Sequence, residues 1–169
     1  MATSLYSASV PVFLQLLEGL KTVLKKAEEH ATAQKWDAGV VLNMRLFPDM
    51  FPLERQVRQV CTHCLGAGRV AGVDLPKLPD EDKSFSEIYS RLDKTIDFLK
   101  GLKANQIDGK DDAELTVPMG GQPRQFKGQN YLLHFAMLQV GFHTTTAYNL
   151  IRTVGVPLSK RDYLGPMPS

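Results

Sequence analysis

The stretch from Gln129 to Gly155 reads QNYLLHFAMLQVGFHTTTAYNLIRTVG and is apolar almost all round. A helix with that pattern must be enclosed by other helices. Gly155 suits the position just past a helix end, Val156 the apolar contact that follows it, and Pro157 the stop. The stretch is read as the last and most buried helix of an all-α bundle, and the rest of the chain is expected to supply the surrounding helices.

Those helices are visible as periodicities. From Ser4 to His30, the residues Leu5, Val12, Leu16, Leu20, Val23, Leu24 and Ala27 recur at three- and four-residue steps. Pro11 falls inside this stretch, so either the helix starts near Ser9 or a longer helix is kinked at the proline. The kinked helix is preferred because it gives Leu5 and Tyr6 a role. Asp37 is placed to cap a short helix through Met44. Phe47-Pro48-Asp49-Met50-Phe51-Pro52 is read as a structured turn leading into a helix from Pro52 to Ala71. On that helix Leu53, Val57, Val60, Cys64, Ala67 and Ala71 fall within about 40° of one line. Gly72 ends it, and the proline-containing segment from Val73 to Lys83 is read as a surface loop.

Ser84, with Glu87 three residues on, forms a capping box for a third helix. Its stripe is Phe85, Ile88, Leu92, Ile96 and Leu99, and Gly101 stops it. Residues 103–127 are expected to contain no helix. Pro118, Gly120-Gly121 and Pro123 point instead to a short irregular hairpin, inserted before the last helix as a flap over one end of the bundle. The expected architecture is a four-helix bundle forming a single domain over residues 1–169.

Composition narrows the function classes. Twenty basic and 18 acidic residues give a net charge of only +2, which argues against a nucleic-acid partner. No apolar run approaches the ~18 to 20 residues that span a bilayer, so no membrane association is expected. The start, MATSLYSASV, lacks the basic and apolar sections of a signal peptide. With two cysteines there is no disulfide framework, and a cytoplasmic location is expected.

Candidate chemistry sits on two helices. On the last helix Gln139 and His143 project together, each about 20° from the direction of Leu132, with Thr146 about 40° off. His134 points nearly opposite, so the two histidines cannot share one metal ion. On the helix from Pro52, Gln56 and His63 stack on one side. A Gln56/His63 edge facing a Gln139/His143 face would make a polar patch between two helices, where bundles place ligand and metal sites. Taken singly, each histidine is read first as structural: His143 as a core residue with one satisfied hydrogen bond, His63 as a surface or helix-contact residue, and His134 as structural too. Cys61-Thr62-His63-Cys64 has C-x-x-C spacing, but it lies mid-helix with no strand before it, which disfavours a redox role. No nucleophile elbow, phosphate loop or dinucleotide fingerprint is present. Carboxylates fall on outer faces except Asp49, read as a turn residue and helix cap or as an acid near the bundle mouth.

Several segments carry a resemblance. LNMRLFPDMFPL (Leu42–Leu53), Arg55-Gln56-Val57, Ala71-Gly72-Val73, YLLHF (Tyr131–Phe135), FHTTTAY (Phe142–Tyr148) and GVPLSKRDYLG (Gly155–Gly165) resemble a DinB-like family of unknown function. The match spans nearly the whole chain. It implies a DinB-like four-helix bundle, often a homodimer. Many DinB-like proteins hold a divalent metal such as Zn or Ni through one histidine on the second helix and a His-x-x-x-His pair on the last. Some transfer low-molecular-weight thiols or act as metal-dependent hydrolases or isomerases. By this match His143 is the second histidine of the pair, the first falls on Gln139, and the second-helix ligand falls near Gln56 or His63.

The chain therefore departs from that metal pattern. Glutamine is a weak ligand for Zn or Ni, which leaves His63 and His143 as the only imidazoles for a metal site. The functional expectation is a small organic molecule bound between the second and last helices, lined by Gln56, His63, Gln139 and Thr146. His143 would act as acid/base or polariser, oriented by Gln139. The rival expectations are a non-catalytic stress-related or interaction protein, and a metal-dependent hydrolase or thiol transferase with a degenerate histidine site.

Overall fold

In the computed structural model, which describes residues 3–167, the first long helix, α1, runs Val10–Ala33. The first two residues of the N-terminal stretch and the last two of the tail lie outside the described residues. Helix α1 starts at Val10 with Pro11 in its first turn, so the chain is not one kinked helix from Ser4. Residues 4–9 instead form a separate turn, in which the Ser9 hydroxyl donates to the Leu5 carbonyl at 2.6 Å. Proline cannot donate the backbone bond a helix interior needs, but the first turn leaves that group unpaired anyway. Leu5 is buried all the same, because the turn folds it back onto the bundle. The stripe of α1 runs through Phe13, Leu17, Leu20, Leu24, Ala27 and Ala31, whereas Val12 is exposed. Neighbouring apolar residues at 12–13 and 16–17 make both phases possible, and the bulkier Phe13 takes the core.

Helix α2 (Ala38–Asn43) is capped by the Asp37 carboxylate, which accepts from the Val40 amide at 3.2 Å. The following turn is closed by a backbone bond from Met50 to Phe47 at 3.0 Å and another from Leu53 to Met44 at 2.9 Å. Asp49 is exposed in this turn, and Pro52, not Asp49, occupies the position before the next helix. That helix is split into α3 (Leu53–Cys64) and α4 (Gly66–Ala71). Gly66 and Gly68 permit close packing: a Cβ at Gly66 would lie 2.7 Å from the Tyr131 hydroxyl. Gly72, at φ 73°, makes the left-handed C-terminal cap.

The segment from Val73 to Lys83 is not wholly a surface loop. Asp82 is 4% exposed and pairs with Arg91, itself 3% exposed, at 2.5 Å. The expectation that carboxylates other than Asp49 lie outside fails here, because a buried guanidinium provides the counter-charge that burial of a carboxylate requires. Helix α5 (Phe85–Gly101) begins as expected at Ser84, whose hydroxyl accepts from the Glu87 amide at 3.2 Å. The Glu87 carboxylate reaches one residue further back, to the Lys83 amide at 2.6 Å.

One helical turn, α6 (Ala104–Ile107), occurs where no helix was expected; it buries Ile107. The hairpin insert is a regular antiparallel ladder of β1 (Glu114–Met119) and β2 (Gln122–Lys127), with Leu115 opposite Phe126 and Pro118 opposite Pro123. Each strand is an edge, which is where proline is tolerated. Gly120 and Gly121 both have positive φ, as a two-residue hairpin turn demands. Phe126 seats the hairpin on Tyr131 and Phe135, at the start of the last helix.

That last helix begins with a π-helical segment, Asn130–Ala136, and continues as α7 (Met137–Thr153). Helices α1 and α3 each pack against both α5 and α7, so four long helices close a ring, with α3 against α7 as the most extensive helix pair. A short helix, α8 (Lys160–Leu164), returns over α1. No helix among the described residues is long and apolar enough to cross a membrane.

Candidate functional site

The α3–α7 seam holds most of the residues singled out in the sequence. Gln56 lies one turn into α3, directly after the Phe51-Pro52 turn, and is 1% exposed. Its amide Nε2 donates to the Phe51 carbonyl at 3.0 Å. With the NH2 group so engaged, the amide oxygen faces His143, and Oε1 lies 2.7 Å from Nδ1. A carbonyl oxygen only accepts, so Nδ1 carries the hydrogen and the lone pair of the imidazole resides on Nε2. The path Phe51 C=O, Gln56 amide, His143 imidazole therefore fixes one tautomer.

The imidazole is flanked by rings. Phe51 lies parallel to it within 5°, with centroids 6.3 Å apart. His63 lies parallel within 7° at 6.0 Å. Phe135 meets His63 edge-on at 5.4 Å and in turn touches Phe126 of the hairpin at 5.3 Å. The Arg55 guanidinium covers the Phe51 ring at 3.7 Å. A chain of ring contacts thus runs from the turn before α3 to the hairpin. Phe51, His63 and Phe135 in it are half-buried.

Burial pushes the His143 pKa down to about 4. Burial, reinforced by the neighbouring His143, pushes His63 down to about 4 as well. Both rings are neutral at pH 7. A base with so low a pKa accepts a proton poorly near neutrality, whereas a neutral imidazole with a fixed tautomer is a competent hydrogen-bond acceptor.

Gln56, His63 and His143 come together; the other two positions do not. Gln139 is half-buried, one turn before His143 on α7, and it is Gln56 rather than Gln139 that bonds the imidazole. Thr146 is buried, with its hydroxyl donating to the Phe142 carbonyl of its own helix at 2.8 Å. His134 is exposed, and His30 rests edge-on against Trp36 at 5.3 Å. Two participants escaped the sequence reading. Phe51 and Phe135 had a signal, being aromatic residues in the two motifs next to Gln56 and His134. Thr144 is also buried, with its hydroxyl unpartnered among the described residues; one threonine of a Thr-Thr-Thr run cannot be told from its neighbours before the helical phase is known.

Two other chemistries can be weighed on their donors. Among the described residues, no three His, Cys, Asp or Glu side chains gather where they could hold a metal ion. His63 and His143 are the only imidazoles at the seam, and the Gln56 oxygen is already engaged by His143. That set does not fit the three-imidazole centre implied by the resemblance. The Cys61 and Cys64 thiols are free and fully buried, Cys61 in the last turn of α3 and Cys64 at its final residue. Burial pushes Cys61 up to about 12 and Cys64 well above its ordinary value, so both remain protonated and unreactive in the fold.

Comparison with known proteins gives a consistent picture. The family model described as a domain of unknown function (DUF1993) matches residues 5–164. The crystal structure of a DinB family member protein from Shewanella denitrificans matches with a TM-score of 0.86 and 32% sequence identity, covering 98% of this chain and 94% of that chain. No curated protein matches this chain.

Proposed function

The chain belongs to the DUF1993 family of DinB-like four-helix bundles, and from that premise we propose that it binds a small, neutral organic molecule at the ring-lined seam between α3 and α7. The observation that carries this reading is the Phe51–Gln56–His143 path, which holds a lone pair on His143 Nε2 beside half-buried aromatic faces. A binding site of this kind combines an apolar wall with a few fixed polar groups. His143 then serves as acceptor and polariser rather than as a proton carrier, and Gln56 is its positioning residue. His63 supplies a second neutral ring. Gln139 and Thr146 flank the seam on α7 without holding His143.

Two buried, unpaired thiols suit a reducing cytoplasm. The homodimer implied by the resemblance is supported by the outer face of α7, where Leu138 and Phe142 are 66% and 57% exposed. The mass in solution by light scattering tests it.

Ligand binding is tested by NMR titration of the full chain with phenol and indole, each of which pairs an aromatic body with one donor. Saturable shifts at Phe51, His63 and His143, lost in Gln56→Leu, are the expected result. Shifts scattered over the surface, or unchanged in that variant, refute the reading. A parallel titration with Zn and Ni, read by thermal shift, is expected to leave the melting temperature unchanged. A saturating rise near one equivalent would restore the metal-dependent alternative.

A further inference from the structure

A groove that shares no residue with the seam of rings lies between α3–α4 and the connector that follows them. Its volume is about 300 Å³. Arg58, Thr62, Leu65 and Arg69 line it from the helices. At about 100° per residue these four fall within an arc of about 60°, so they form one continuous edge. Leu75, Pro76, Leu78 and Pro79 of the connector form the facing wall.

That wall is fixed in place. At its start, the Val73 amide donates to the Gly68 carbonyl at 3.1 Å as the chain leaves α4. Gly68 itself leaves room for it, since a Cβ there would lie 2.7 Å from the Leu75 side chain. At its far end the buried Arg91 donates to the Pro79 carbonyl at 2.5 Å and to Asp82. A wall held at both ends costs little ordering entropy when a ligand arrives.

The charges of the groove are unequal in availability. Arg91 is spent on Asp82 and Pro79. Arg58 lies 3.6 Å from Glu54. Arg69 is exposed, stands beside the Tyr131 hydroxyl, and forms no ion pair among the described residues. Asp80 sits on the rim, exposed to water, where its charge is screened.

From this pairing of a fixed apolar wall with one guanidinium that forms no ion pair among the described residues, we propose that the groove is a binding site for an amphiphilic organic carboxylate. Its head pairs with the Arg69 fork, and its apolar body lies on Leu65, Leu75 and Leu78. A guanidinium matches a carboxylate through two parallel hydrogen bonds.

Titration of the full chain with octanoate and with octanol, followed by amide shifts in NMR, tests this. Octanoate is expected to produce saturable shifts at Leu65, Arg69, Leu75 and Leu78, with octanol bound about tenfold or more weakly, the ratio a charge-assisted hydrogen bond supports. Arg69→Gln should reduce octanoate to the level of octanol, and Arg69→Lys should retain part of the difference. Equal binding of the two probes overturns the proposal. So do octanoate shifts unchanged in Arg69→Gln, shifts centred on His63 and Phe135, or no saturable shift at all. Because Arg69 is exposed, an unaltered melting curve is expected for Arg69→Gln, and the comparison of octanoate with octanol within the wild type stands without any variant.

Discussion

Acidification should destabilise this protein through two histidines. Both His63 and His143 have pKa values of about 4 in the fold against an ordinary 6.5. Their folded values are depressed, so the unfolded chain binds more protons below 6.5. Stability is therefore full above about pH 6.5 and falls as the pH drops toward 4. Between pH 7.5 and 5.0, each ring displaced to this extent contributes at most about 2 kcal/mol, or about 4 kcal/mol for the pair. His63 is half-buried, and solvent screening reduces the pair to about 2–3 kcal/mol.

The assay is urea denaturation at pH 7.5, 6.0 and 5.0, for the wild type, His63→Gln and the double variant with His143→Gln. Carboxylates held low by partners, such as Asp162 beside Lys26 and Asp112 beside Lys127, lose their contribution at lower pH and do so equally in all three proteins. The decisive quantity is thus the difference in pH dependence between proteins. The double variant should lose most of it, and His63→Gln alone about half. Equal pH dependence in wild type and double variant, or a wild type that gains stability on acidification, would refute the assignment of buried neutral imidazoles.

Two further substitutions separate neighbouring readings. Gln56→Leu leaves the His143 Nδ1–H buried without its acceptor and should cost about 1–3 kcal/mol in urea denaturation, whereas Gln139→Leu should stay within about 0.5–1 kcal/mol; the reverse order would return the orienting role to Gln139. Asp82→Ala strands the buried Arg91 guanidinium and should cost about 3–5 kcal/mol, a loss that a surface-loop aspartate would not produce.

How much of this could be read in the chain beforehand depends on the range of the interaction. The α3–α4 stretch and helix α5 were visible because their apolar stripes repeat at a single phase, with Gly72 closing the first and the Ser84–Glu87 cap opening the second. Helix α1 was visible, but not its face, because adjacent apolar pairs at 12–13 and 16–17 allowed two phases. The seam was legible only as a list. Gln139 and Gln56 are both glutamines within reach of a histidine in projection, and the choice between them rests on how closely α3 approaches α7, which no local pattern encodes. The Asp82–Arg91 pair was missed for the opposite reason. A polar segment with two prolines has the composition of a surface loop, and its burial depends on one arginine of the next helix.

The π-helical segment at Asn130–Ala136 has a consequence for how the last helix tolerates change. Its i→i+5 turns hold one residue more than α-turns need. Losing a residue there could be absorbed by reversion to ordinary α-helix, leaving Val140, Ala147 and Leu150 seated in the core. The same loss within α7 would swing every earlier side chain by about 100°. The segment therefore works as a vernier between two parts of one rod. It sets the angular offset of Tyr131 and Phe135, which meet the hairpin, against His143, which meets Gln56. Insertions and deletions in proteins of this build should collect at that joint, retuning one half of the helix while the other stays in register.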